Sequence, residues 1–527
     1  MMWHRVFARA LCFSALLTLL TPMALAADAG SPGHPDPGST PAAAKPAAAE
    51  SIPPNVENAV VKVFSTMRYP DPFKPWTKQA PSEVTASGVV VEGKRILTNA
   101  HAVLYATQVQ VQAHEAGDKI PATVVAIAPG IDLALLQLDD ESFFDTHPPV
   151  ARASVLPDIK DAVLAYGYPT GGTSLSITKG IVSRIEFALY NYPVSGLRIQ
   201  IDAAINAGNS GGPAIAGDKM IGLAFSHLTS AQNIGYIIPN EEIELFLKDV
   251  ADGHYDGKPA ICDDLQTLEN PALRKYLKLD SDVQGIIVNR PCEKDAAYPL
   301  KKWDVITRID GTPIDDQGMV KVGNNLRVAF AYLVQKVAKQ GKVPLTIVRG
   351  SKAQQIELPV ATDRPMLIPP LRGSYPSYFI YGPLVFSRAS VEFLSFFTNN
   401  ATMAVGLSFL GSPLVTRRGD PPDPDRQELV VVSSPFFPHK LSKDYSNPSG
   451  SVVSMINGTK VQSLKHLVSL LRDLKSEFVT IEFEQRIGET LVFRCADVLA
   501  ATDEILSDNG VRAQGSPDML EVWLAKH

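Results

Sequence analysis

The chain has 527 residues, 45% of them hydrophobic and 20% charged, with a formal net charge of −6. That length exceeds one hydrophobic core and divides into about three domains at ~150 residues each, and the composition is that of an ordinary globular protein rather than a disordered one. The mildly acidic balance leaves no broad basic field, so nucleic acid is not expected as a partner.

The first 26 residues have the plan of an export leader. Arg5 and Arg9 make a positive start, residues 10–20 form a short apolar run, and Ala24-Leu25-Ala26 supplies small residues for cleavage. An apolar run this short does not readily span a bilayer. The expectation is a signal peptide over 1–26, export, a periplasmic location if the source is bacterial, and no integral membrane span after cleavage; an uncleaved amino-terminal anchor is the alternative. Leu11 before Cys12 does not suit a lipoprotein site. Residues 27–52, rich in Ala, Pro and Gly, read as a disordered linker. Loss of the leader leaves Cys262, Cys292 and Cys495. No Cys-x-x-Cys or Cys/His spacing supports zinc, and neither a metal nor a cofactor is expected. A Cys262–Cys292 bridge in an oxidising compartment and a pair of packing thiols both stay open.

Residues 53–252 read as one domain. A short helical turn and a strand over 55–64 lead into the Pro-rich loop 70–82, whose composition places Phe73 and Trp76 on the outside. From 86 to 239, short β-branched runs alternate with turn clusters every ten residues or so, a spacing that predicts antiparallel barrels. Residues 241–250 close the domain as a helix, with Ile243, Leu245, Phe246 and Val250 available for a buried face.

Three residues of this domain carry the chemistry. A serine is a poor nucleophile unless a base takes its proton and donors meet the charge that develops on the attacked carbonyl oxygen. Ser210 stands in Gly208-Asn209-Ser210-Gly211-Gly212, where Gly208 and Gly211 let the backbone turn so that neighbouring amides converge. Alone, this stretch is equally a flexible surface loop. A base and an orienting acid lie upstream: His101 follows the strand-like runs 88–91 and 96–97, and Asp132 leads into an apolar strand. The order His, Asp, Ser is that of chymotrypsin-fold proteases. Gly208, Asn209 and Ser210 are the expected oxyanion loop. Ala204, six residues before Ser210, stands where proteases that cut after Lys or Arg carry an aspartate. With Ile205 and Ile237 it predicts an apolar pocket that selects by size, each methylene contributing ~1–3 kcal/mol of discrimination.

These motifs also carry a resemblance. Leu97-Thr98-Asn99-Ala100-His101, Asp132-Leu133-Ala134, Gly167-Tyr168-Pro169 and Gly208-Asn209-Ser210-Gly211-Gly212-Pro213 resemble the Deg/HtrA (protease Do-like) serine endopeptidases. The likeness extends through 176–185, 233–239 and 268–274 and is nearest the plant-type branch. It implies a chymotrypsin-like double β-barrel followed by PDZ-like domains, a mainly β protein. It also implies a homo-oligomer, trimer or hexamer, in which a loop like 70–82 helps build trimers; an ordinary hairpin loop is the alternative there. Ala207 departs from the proline usual in the family, which predicts a looser turn before Gly208.

Beyond residue 257 the chain repeats itself. Residues 303–314 align without gaps on 450–461, each copy running a strand into an Asp-Gly or Asn-Gly turn, then a helical segment (326–337 and 464–474) and a closing strand pair (344–360 and 478–494). That order resembles a PDZ domain and predicts one over 255–362 and a second, with an insertion, over 374–510, followed by a carboxy-terminal tail over 511–527. PDZ domains add a peptide as an extra strand and capture its terminal carboxylate on loop amides. By resemblance the first module's loop falls at Ala260, Ile261 and Cys262, where Cys262 replaces a glycine and Asp263 and Asp264 follow. Acids at that position repel a free carboxylate, so internal segments or interdomain packing are expected instead. In the second module the insertion 390–410 reads as a helix followed by apolar residues, and resembles a part used for assembly; internal packing is the alternative. His114, His147, His227, His254, His439 and His466 stand singly and are expected at the surface or in packing.

The reading favoured is an ATP-independent serine endopeptidase acting on unfolded or damaged exported proteins. The alternative, motivated by Ala207 and the acidic loop, is a binding scaffold or holdase chaperone with little proteolysis.

Overall fold

The computed structural model describes residues 56–113, 117–191, 193–227, 234–293, 295–323, 326–486 and 488–525. The expected leader and linker, and His114, lie outside them. Twelve strands form two closed six-stranded barrels, as the turn spacing predicts. The first joins β1 (Val60–Met67), β2 (Ser82–Val91), β3 (Arg95–Thr98), β4 (Ala106–Gln112), β5 (Ile120–Ala128) and β6 (Leu133–Leu138) in the order β1-β2-β3-β6-β5-β4. The second joins β7 (Ala162–Gly167), β8 (Ser176–Leu189), β9 (Ser195–Ile201), β10 (Pro213–Ala216), β11 (Lys219–His227) and β12 (Gly235–Pro239) in the order β10-β11-β12-β9-β8-β7.

Strand alternation explains the first barrel's core. In β1, Val61, Val63, Ser65 and Met67 are buried while Lys62, Phe64 and Thr66 stay partly open. The seam between the barrels is a continuous apolar layer to which the first contributes Leu136 and the second Tyr166, Leu223 and Ile238. The helix Asn240–Asp249 lays Ile243 and Phe246 onto that layer. Full burial of each such side chain contributes roughly 1.5–3 kcal/mol.

The first α+β module is an antiparallel sheet of Asp264–Thr267, Ile286–Arg290, Val305–Ile309, Lys342–Arg349 and Lys352–Pro359, with the helices Pro271–Tyr276 and Ala331–Val337. The helical segment expected over 326–337 is shorter: Leu326–Ala329 is a strand paired with Met319–Val322, and only Ala331–Val337 is helical. Val328 and Leu326 find partners across that pair, and tertiary pairing outweighs the weak local propensity. The repeat is borne out in register. Ile309 lies opposite Thr312 and Ile456 opposite Thr459. The turn residues Asp310-Gly311 and Asn457-Gly458 all have positive φ, the conformation a tight hairpin requires.

In the second module, Tyr378–Tyr381, Leu384–Arg388 and Val430–Val432 form one sheet, and Val453–Ile456, Thr459–Lys460, Phe478–Phe483 and Leu491–Arg494 another, packed on the helix Leu464–Arg472. The insertion contains two helices, Val391–Thr398 and Ala401–Phe409. Two expectations are corrected here. Of the stretch 511–527, expected as a tail, the described residues 511–525 fold back: Pro517–Leu524 is a helix, Ser516 N–H donates to Tyr378 O (3.0 Å), and Trp523 packs on Phe379. Met519 and Trp523 cover apolar surface of the sheet, which anchors the segment. Phe73 and Trp76, expected outside, are inserted into this module: Phe73 among Phe393, Phe396 and Phe397, and Trp76 against Phe437. A loop's own composition carries no sign of the aromatic surface that will cover it.

Candidate active site

His101 sits in a 3-10 turn, Ala100–Ala102, that follows directly on β3. Asp132 opens β6 with φ +58°, a left-handed conformation that aspartate tolerates better than most residues. The two are held together twice. His101 N–H donates to Asp132 Oδ1 at 2.9 Å, and the ring Nδ1 lies 2.7 Å from Oδ2. The buried Asn99 donates from Nδ2 to Asp132 O at 2.9 Å, fixing the backbone of the same turn. Because an ionised carboxylate only accepts, Nδ1 carries the proton and a neutral ring keeps Nε2 as its acceptor. Burial acts to lower the imidazole pKa, but the hydrogen bond and charge of Asp132 outweigh it, and the net shift is upward. Asp132 is 6% exposed.

Ser210 lies in the loop between β9 and β10. Gly208 (φ +96°) and Gly211 (φ +89°) both take the left-handed conformation anticipated for them. A Cβ at Gly211 would fall 2.0 Å from Ser87 O, and one at Gly208 2.4 Å from Thr170 N, so a side chain at either position would displace the loop. The carbonyls of this run are each occupied. Ala207 O accepts from Thr170 N–H (2.7 Å), Gly208 O from Ser87 Oγ (2.7 Å), Asn209 O from Gly212 N–H (3.1 Å) and Ser210 O from Ser87 N–H (2.8 Å). A planar trans peptide turns its N–H opposite to its carbonyl; holding Ala207 O toward Thr170 therefore sends the Gly208 N–H the other way. Asn209 N–H donates to Asn206 O and Gly211 N–H to Ala224 O. Among the described residues the N–H groups of Gly208 and Ser210 have no protein acceptor. Thr170 thus secures the turn where Ala207 stands in place of proline.

Ser210 Oγ directs its own hydrogen bond to Phe225 O at 3.4 Å. Phe225 stacks on Tyr190 with centroids 5.0 Å apart. Asn209, expected in the oxyanion loop, has its side chain buried at 1% exposure, with Nδ2 and Oδ1 unpaired among the described residues.

The three pocket positions separate. Ala204 is partly open, its carbonyl accepting from Thr178 Oγ1 at 2.9 Å. Ile205 is 5% exposed. Ile237, expected as a wall, is fully buried in the apolar cluster of the second barrel, while its neighbour Ile238 belongs to the cluster of the seam. Both faces of β12 are covered, so neither isoleucine lines a surface. Residues that no motif announces are Ser87, Thr170, Phe225 and Tyr190; they belong to other strands and loops, and only folding brings them to Ser210.

In the first α+β module, Ile261, Cys262, Leu265, Cys292 and Phe330 line a cleft of about 1260 Å³. Cys262 and Cys292 are disulfide-bonded, with Cα atoms 5.5 Å apart. Ala260 N–H donates to Ala361 O at 3.1 Å. The acids beside this loop are engaged, which alters the repulsion expected from them. Asp263 is 9% exposed and accepts from Cys292 N–H (3.0 Å) and Tyr298 OH (2.9 Å), its pKa raised by burial. Asp264 pairs with Arg290 at 3.0 Å. Of the single histidines, His147 stacks on Phe143, His439 and His466 accept backbone N–H groups through Nδ1, and His254 lies 3.6 Å from Asp256. Among the described residues no group of His, Cys, Asp and Glu is arranged to hold a metal ion, and no helix is long and apolar enough to cross a membrane.

Two closed six-stranded barrels followed by a PDZ domain define the class, a chymotrypsin-like serine endopeptidase. A trypsin-like peptidase domain profile matches residues 86–223 and a PDZ domain profile residues 371–518. Protease Do-like 2, chloroplastic, of Arabidopsis thaliana is 34% identical over 89% of this chain and 76% of its own length. Protease Do-like 4, mitochondrial, of the same plant is 33% identical over 88% of this chain and 86% of its own. The solved HtrA-type protease AlgW with decapeptide is similar at 23% identity and a TM-score of 0.44, over 59% of this chain and 97% of that one. The chain belongs to the Do-like (Deg/HtrA) serine protease family.

Proposed function

We propose that this chain is an ATP-independent endopeptidase that cuts unfolded or damaged proteins after export, with Ser210 as nucleophile, His101 as base and Asp132 as the acid that orients it. Ser210 Oγ attacks the scissile carbonyl carbon while its proton passes to His101 Nε2. The imidazolium that forms is stabilised by Asp132, already paired through Nδ1. The developing oxyanion is met by the Gly208 and Ser210 N–H groups. Collapse of the tetrahedral adduct breaks the C–N bond, and the amine leaves with the proton from His101. Water, activated by the same imidazole, then attacks the acyl-enzyme and returns Ser210.

The observations that carry this reading are the double hydrogen bond from His101 to Asp132 and a serine loop in which, among the described residues, the Gly208 and Ser210 amides have no protein acceptor. The open side at Ala204 supports a small apolar residue before the cut. The leader-like residues 1–26 support export, and the family supports assembly into trimers or hexamers of this chain. Digestion of casein by the purified protein, together with labelling by a fluorophosphonate, tests the proposal. Both are expected to vanish in Ser210→Ala. A wild-type protein that neither cuts nor labels in any assembly state would overturn it.

A further inference from the structure

We infer that Ser87 is a positioning residue for the oxyanion loop, a role that rests on the peptidase reading above and deepens it. Ser87 lies on β2 of the first barrel and is fully buried. It reaches across the seam with three hydrogen bonds. Its Oγ donates to Gly208 O at 2.7 Å and accepts from Tyr168 N–H at 2.8 Å, and its own N–H donates to Ser210 O at 2.8 Å. Its carbonyl accepts from Thr98 Oγ1 at 2.7 Å, three residues before His101.

Ser87 therefore fills two of the four carbonyl contacts that orient residues 207–210. Gly208 is the residue of that run most free to rotate, since it has no Cβ to bar either sign of φ. The side chain of Ser87 fixes one of its two peptide planes, and Thr170 fixes the other. Without the hydroxyl, Gly208 O loses its donor in a buried place, and an unmade buried hydrogen bond is costly. The loop relieves that cost by turning the Gly208–Asn209 plane, and because Gly208 joins that plane to the one bearing its own N–H, the turn pulls the donor held by Thr170 out of line with the oxyanion. Ser87 touches no substrate in this scheme. Its effect falls on stabilisation of the transition state, and so on kcat rather than KM. The same residue links the serine loop, through Thr98, to the strand that delivers His101, so one side chain sets the nucleophile's loop against the base's strand.

The test uses the purified full chain. Wild-type cleavage of a peptide substrate and fluorophosphonate labelling decide the underlying reading. Given an active wild type, Ser87→Ala is expected to lower kcat by on the order of 10- to 100-fold with KM within about twofold, by comparison with loss of an oxyanion donor. A peptidyl boronate, whose tetrahedral adduct places an oxygen in the oxyanion position, should lose affinity by the same factor as kcat/KM. Ser65→Ala, the same deletion at a buried serine of β1, controls for lost packing and should leave kcat unchanged. Ser87→Cys keeps the size and a weak donor and is expected to give an intermediate kcat, an outcome that also decides the matter if Ser87→Ala does not fold. Wild-type kcat in Ser87→Ala, or in Ser87→Cys if that alone folds, would overturn the inference. So would a loss equalled by Ser65→Ala, or unchanged boronate affinity.

Discussion

Phe73 of the first barrel meets Phe396 of the second module edge to face, ring centroids 4.5 Å apart. Beside it Trp76 lies 5.3 Å from Phe437, Tyr375 OH donates to Arg68 O at 2.8 Å, and Lys78 stands over the Tyr375 ring. The loop between β1 and β2 thus joins the peptidase barrel to the last module within one chain. Tyr375 also packs on Tyr105, which lies just beyond the turn that carries His101.

Replacing both aromatics, Phe73→Ala with Trp76→Ala, is expected to release the second module. Both are partly buried, and the combined loss should be roughly 2–4 kcal/mol. In a Ser210→Ala background, which prevents self-digestion, limited proteolysis should open new cuts in the connecting segment 363–377. An unchanged fragment pattern would mean that this aromatic contact does not hold the module.

The His101–Asp132 pair predicts a pH profile. The base must be neutral to accept the serine proton, and its pKa is raised above 6.5. The acid limb of kcat/KM should therefore have its midpoint above 6.5. In Asp132→Asn the midpoint should move down, and kcat should fall by about 10⁴-fold as the wrong tautomer is favoured. The stability effect has the opposite sense to the activity. A pKa raised in the folded state stabilises fully below the unfolded value and is lost as pH rises through the folded one. Denaturant midpoints of wild type and Asp132→Asn should therefore differ more below about pH 6 than above about pH 8. Equal differences at both would argue against a charged pair.

Gly211→Ala should abolish fluorophosphonate labelling. Its Cβ would press on the main chain at Ser87 O, and φ +89° adds strain of its own. The expected destabilisation is at least about 2 kcal/mol. Retained labelling would show that the loop can move aside without losing its chemistry.

The disulfide at the cleft gives a redox prediction. Cys262 and Cys292 are 30 residues apart in sequence, and replacing both by serine should lower stability by roughly 2–4 kcal/mol. Urea unfolding with and without reductant should show the same shift in the wild type and none in the double variant. A wild type insensitive to reductant would contradict the bond.

Much of the site was legible because its chemistry needs particular residue types in local settings. Glycines bracket Ser210 because a left-handed backbone leaves little room for anything else, and that demand is written into five adjacent residues. The Asp310-Gly311 and Asn457-Gly458 turns disclose the repeat for the same reason: hairpin geometry is a local property of the chain. The helical turn and strand within 55–64 and the buried face of Asn240–Asp249 were likewise readable.

Other assignments were decided only by the assembled fold. Trp76 and Phe73 lose their exposure to surfaces hundreds of residues away, and 517–524 finds a sheet to cover. Ile237 reads as a pocket wall because it lies in an apolar strand expected to flank the pocket, yet packing on both faces of β12 removes it from the surface. Asp263 reads as a repelling charge until Tyr298 and Cys292 are seen to face it. Ser87 carries no motif at all. Periodicity and turn chemistry act over a few residues, whereas burial and hydrogen-bond partners belong to whichever distant segments the fold brings alongside.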